Sequence, residues 1–131
     1  MSFKFNPFTG TLDDVGAITS TTGDITLTSF SIANNQVAAA DVTGLTFANA
    51  SVRAAEILFS VAIDATADLF EAGKIILIQR GADWQMSQSS VGDVSGVVFS
   101  VTTAGQVQYT STNNAGFVTG TVKFRAIVTT V

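Results

Sequence analysis

The nine residues EILFSVAID (Glu56–Asp64) decide the fold. Ile57, Phe59, Val61 and Ile63 fall on one side of an extended chain, and Leu58, Ser60, Ala62 and Asp64 on the other. A side-chain period of two belongs to a β-strand and not to a helix. The same period recurs along the chain. GVVFSVT (96–102) aligns Val97, Phe99 and Val101, and QVQYTS (106–111) aligns Val107 and Tyr109. TVKFRAIV (121–128) puts Val122, Phe124, Ala126 and Val128 on one face, with Lys123, Arg125 and Ile127 opposite. DWQMSQSS (83–90) brings Trp84 and Met86 into phase. KIILIQRG (74–81) is apolar on both faces, which predicts a strand buried on both sides.

Glycine and amide residues punctuate these runs at RGAD, VGDVSG, STNNAG and VTG, and TTAGQ places Gly105 where a hairpin loop asks for positive φ. DITLTSFSI, NQVAAA and GLTFANA read as short strands around ANN. DATADLFEAGK (64–74) reads as one helical turn, with Asp64 or Thr66 as N-cap and Gly73 closing it. No strand–helix–strand alternation occurs. The expectation is an all-β chain, an antiparallel β-sandwich of jelly-roll-like type, with Phe59, Val61, Ile63, Trp84, Phe99, Val101, Tyr109 and Phe124 inside. Residues 1–20 show no strong period and hold the single proline, Pro7. They read as an extended N-terminal arm, leaving residues 21–131 for the sandwich.

Composition removes whole classes of function. The chain has 131 residues, no cysteine and no histidine, so thiol chemistry, disulfides and the usual general base are absent. A net charge of -4 with no basic cluster argues against a nucleic-acid surface. No apolar run is long enough to span a bilayer as a helix, and no signal peptide opens the chain. Synthesis in the cytoplasm without membrane insertion is expected. Charged residues are only 12% of the chain, against roughly 25% in an ordinary soluble domain. Something other than solvent is expected to cover part of this surface.

No catalytic constellation emerges. Serines are plentiful, but without histidine there is no Ser-His-Asp arrangement. Asp64, Asp68 and Glu71 are close in sequence, yet DATADLFEAG lacks the alternating ligands and sharp glycine turn of a calcium loop. Asp13 and Asp14 read as solvated arm residues. Trp84 beside Asp83 could stack on a sugar, although an inward strand position favours the core. The expectation is a non-enzyme with no catalytic, cofactor-binding or metal-binding residues. Two segments suggest contacts with other chains. Phe3, Phe5, Pro7 and Phe8 make the arm too apolar for a free tail, which suits an attachment device. Ile127 beside Lys123 and Arg125 on the other face of the TVKFRAIV strand has the apolar centre and charged flanks of an oligomer interface.

The opening FKFNPFTGTLDDVG resembles the start of many small virion proteins of tailed bacteriophages. The stretch from Leu58 to Ala126, marked by DATADLFE, GADWQMSQ, GDVSGVVFS, GQVQYTSTN and GTVKFRA, resembles a module of phage tail-fibre and appendage proteins. The resemblance implies a virion location and a structural role as a short tail or head fibre that joins other virion proteins through its arm. It also implies a homotrimer, since phage fibres are typically trimeric. Contact with a host-surface glycan is a further role it leaves open. A capsid decoration or cement protein is one alternative, and a bacterial surface adhesin or carbohydrate-binding module the other. In any of these settings the charge-free strands of VVFSVTTAGQVQYTSTNNAG (97–116) are buried against neighbours, at no cost of desolvating charge.

Overall fold

The computed structural model describes residues 23–131 in full and the backbone of residues 3–6 and 11–14. Strands β1 (Phe3–Asn6) and β2 (Thr11–Asp14) pair antiparallel, from Phe3 opposite Asp14 to Asn6 opposite Thr11. Within the arm expected from the sequence, residues 3–6 and 11–14 thus form a short two-stranded ladder. The Phe–Lys–Phe–Asn alternation is present, but four residues are too short a window to stand out.

Eight further strands build a sandwich: β3 (Ile25–Ser31), β4 (Ala40–Thr46), β5 (Val52–Asp64), β6 (Leu69–Gln79), β7 (Trp84–Gly92), β8 (Val98–Val101), β9 (Gln106–Thr110) and β10 (Thr119–Thr130). One sheet has five strands in the order β3-β10-β5-β6-β7, and the other has three in the order β4-β9-β8. Every pairing between described strands is antiparallel. The first sandwich strand lies beside the last, and the second beside the penultimate. This nesting is the Greek-key wrap of a jelly roll. The middle departs from that scheme, because β5, β6 and β7 stay in one sheet as a meander and divide the strands five to three.

The core lies where the expected phase puts it. Phe59, Val61, Ile63, Trp84, Phe99, Tyr109 and Phe124 are buried, while Val101 is only partly buried near the short end of β8. The rings of Phe59 and Phe99 meet edge to face across the two sheets, with centroids 5.0 Å apart. Such a pair adds about 0.5–1.5 kcal/mol to the area it buries. The indole of Trp84 faces inward and donates to Asn49 Oδ1 at 2.7 Å, so its one polar atom is satisfied and the ring is committed to the core. Gly105 has φ +86, and a Cβ there would strike the Phe47 carbonyl and the Trp84 ring. Glycine is required at that turn.

Three local expectations fail. No helical turn forms after Asp64. Residues 65–67 bend, and β6 starts at Leu69, opposite Ile63. The backbone polar groups of this segment are taken by the ladder and by Asp93, whose carboxylate accepts from Phe70 N at 2.9 Å. A helix would have left the end of β5 unpaired. NQVAAA lies in the β3–β4 connection, and only Ala40 enters a strand. Finally, β6 is not buried on both sides. Ile75 and Leu77 are fully enclosed, but Ile76 and Ile78 remain 46% and 47% exposed. Among the described residues, no second layer packs on the outer face of the five-stranded sheet.

Candidate interaction surface

That outer face is the surface to explain. The register places its residues in rows across β10, β5, β6 and β7. One row reads Arg125, Leu58, Lys74, Ser89, and the next reads Ile127, Glu56, Ile76, Ser87. Beyond these, Lys123 stands opposite Ser60 and Ala72 opposite Val91, while Ala54 stands opposite Ile78. Directly opposed residues have Cβ atoms about 5 Å apart, so each row is a set of touching neighbours. Leucine separates two cations in one row, and a glutamate separates two isoleucines in the other.

Lys123, Arg125 and Ile127 do share the exposed face of β10, as their spacing predicts, with Ile127 63% exposed. Sequence reasoning missed the other half of the surface. Leu27, Leu58, Ile76 and Ile78 supply more exposed apolar area, and Lys74 and Glu56 supply charge. The signal was there in β6, where Lys74, Ile76 and Ile78 are in phase, but the apolar run masked it. A shallow depression bounded by Leu58, Lys74, Ser89 and Val91 lies over the small side chain of Ala72.

The charges on this face are unspent. Among the described residues the only salt bridge is Arg80–Asp83, at 3.9 Å and well exposed. Lys74, Lys123, Arg125 and Glu56 have no ion-pair partner there. The face thus offers three cations, an apolar centre crossed by Glu56, and a second carboxylate, Asp64, at the end of β5. Its opposite number, the outer face of the three-stranded sheet, carries Asp41, Ser100, Gln106, Gln108 and Thr110 and no cation.

Three of the carboxylates considered as catalytic or metal-binding groups, Asp68, Glu71 and Asp83, have partners in local structure. Asp68 accepts from Ala65 N at 3.2 Å, and Glu71 accepts from Ser90 and Ser95 at 2.6 and 2.5 Å. Asp83 pairs with Arg80, and Asp64 ends β5. Of the four arm residues, Phe3 and Phe5 belong to β1. Pro7 and Phe8 lie outside the described residues.

The sandwich has two distinct ends. Gly23 packs against Val52 and Val128, and Val131 N donates to Ser51 O at 3.0 Å, so both of these positions lie at one end. The opposite end is made by the connections 32–39, 65–68, 93–97 and 111–118. They are tied together by Asn35 N to Thr112 O at 3.1 Å, Thr66 N to Ala115 O at 3.0 Å and Asn34 Nδ2 to Asn113 Oδ1 at 2.8 Å. No lysine or arginine occurs in these four connections. Their exposed groups are amides, carboxylates and the side chains of Val37, Val94 and Val118.

No protein-family model matches the chain, and no curated protein matches it significantly. Among solved structures it is similar to the tailspike protein of Acinetobacter phage vB_ApiP_P1, with a TM-score of 0.51 and 13% identity. The match covers 91% of this chain and 24% of the tailspike, so the chain spans about a quarter of that protein's length. At this identity the likeness is one of fold: this sandwich has the architecture of part of a phage tailspike.

Proposed function

We propose that the protein is a structural component of a phage particle, a short trimeric fibre or appendage with no catalytic activity. The observation that carries this reading is the outer face of the five-stranded sheet. It exposes Leu58, Ile76, Ile78 and Ile127 among unpaired cations, on a chain with few charges elsewhere. Exposed apolar patches of this kind mark interfaces. A cyclic trimer brings unlike surfaces together, and the cation-free face bearing Asp41 suits Lys123 and Arg125 of a neighbour. The tailspike likeness supports the particle setting.

The two ends of the sandwich give the appendage a direction. Attachment through residues 1–20, with Phe3, Phe5, Pro7 and Phe8 as anchors to other virion proteins, presents the four far connections outward. Their amides and valines suit a neutral host-surface glycan better than an acidic one. No nucleic acid or membrane takes part.

Localisation on the particle by electron microscopy, with and without residues 1–10, tests the reading. The expected result is three-fold density on the tail or head, lost with the deletion while the isolated sandwich stays folded. Density spread over capsomer junctions favours a decoration protein, and absence from the particle overturns the proposal.

A further inference from the structure

Strand β7 is an open edge. It pairs with β6 in unbroken register over its whole length, from Gln79 opposite Trp84 to Glu71 opposite Gly92. The hydrogen bonds that flank this ladder fix its phase: Arg80 N donates to Asp83 O at 2.8 Å, and Asp93 N donates to Phe70 O at 2.8 Å. Alternation along an antiparallel pair then assigns Gln85, Ser87, Ser89 and Val91 to bonds with β6. The N–H and C=O groups of Trp84, Met86, Gln88 and Ser90 point away from the sheet. Among the described residues these backbone groups have no other partner. Side chains from Ser87 to Gly92 are exposed on both faces, so nothing described shields the edge.

Native edges are normally blunted by charge, proline, a bulge or brevity. The other edges of this sandwich use such devices. Pairing of β3 is broken by a register shift between Phe124 and Ala126. Pairing of β4 is broken between Asp41 and Thr46, and β8 has only four residues. Strand β7 has none of them: WQMSQSSVG contains no charge and no proline, and its register does not shift.

The geometry points to a second copy of this chain as the occupant, added antiparallel to β7 across a two-fold axis at Gln88. In that register Met86 faces Ser90 of the other copy, Trp84 faces Gly92, and Gln88 faces itself. All of the outward-pointing residues meet outward-pointing residues, so each such pair exchanges two hydrogen bonds. Large side chains lie opposite small ones, and a strand without charge opposes no like charges when it meets itself. The positive φ of Gly92, +106, ends the ladder at its outer limit. This contact is distinct from the β10 face, which lies on the far side of β5 and β6 in the sheet order.

The test combines sedimentation velocity of the full chain over a concentration series with residue-resolved amide hydrogen exchange. Gln85, Ser87, Ser89 and Val91 should be protected at all concentrations, and Met86, Gln88 and Ser90 only where the chain associates. Gln88→Pro removes an outward N–H at an edge position that tolerates proline. It should weaken this association about tenfold or more, since each copy loses a bond. Gln88→Lys leaves the N–H in place but sets like charges face to face, and should act in the same direction. Arg125→Glu disturbs the β10 face and should leave the β7 protection pattern intact. The proposal is overturned if Met86, Gln88 and Ser90 stay unprotected at every concentration. It is equally overturned if both Gln88 variants associate like the parent, or if Arg125→Glu alone abolishes the β7 protection.

Discussion

Replacing Ile127 with alanine separates assembly from folding. In the isolated chain Ile127 is 63% exposed, while Phe124 in the opposite phase of the same strand is 1% exposed. Full burial of an isoleucine is worth about 1.5–3 kcal/mol. The exposed share of Ile127 therefore holds back roughly 1–2 kcal/mol, realised only when a neighbour covers it. The proposed trimer would repeat the contact three times, so Ile127→Ala should then lower overall assembly by about 3–6 kcal/mol, on the order of a hundredfold to ten-thousandfold. Stability of the single sandwich should change by less than about 0.5 kcal/mol. Phe124→Ala should behave inversely and cost about 3–5 kcal/mol of folding stability. Sedimentation equilibrium reads the first quantity and urea unfolding under dissociating conditions reads the second. If Ile127→Ala leaves assembly untouched, the outer face is not the interface. If it destabilises the monomer as much as Phe124→Ala does, the phase of β10 has been read backwards.

Gly105→Ala should cost about 1–3 kcal/mol or more, because φ +86 suits glycine and the added Cβ meets Phe47 and Trp84; thermal unfolding reads the loss. Glu71→Ala removes the acceptor of the Ser95 O–H, a group 1% exposed whose oxygen keeps only the bond from Val97 N, and should cost about 1–3 kcal/mol in urea unfolding, with Glu71→Gln recovering most of it. Reducing-end assays on host capsule should show no polysaccharide cleavage. Release that is lost on mutating Asp64, Asp68, Glu71 or Asp83 would contradict the non-catalytic reading, since glycosidases work with paired carboxylates.

Which side chains face inward was legible in the sequence, because alternation is a property of the extended backbone and needs no knowledge of neighbours. Phe59, Phe99 and Tyr109 declare their side of the strand through the two residues on either side of them. The same holds for Lys123, Arg125 and Ile127 on the outer side of β10. Runs that are apolar in both phases defeat this logic, which is why Ile76 and Ile78 read as buried, whereas among the described residues no layer lies above them. Strand partnership was not legible at all. β10 lies between β3 and β5, strands far away in the chain, and only that insertion sets Arg125 beside Leu58 and Ile127 beside Glu56. Likewise WQMSQSSV is an ordinary amphipathic run until the fold leaves it outermost. Phase is decided by bonds between adjacent residues, whereas neighbours and edges are decided by closing long loops around one shared core, a choice no local stretch contains.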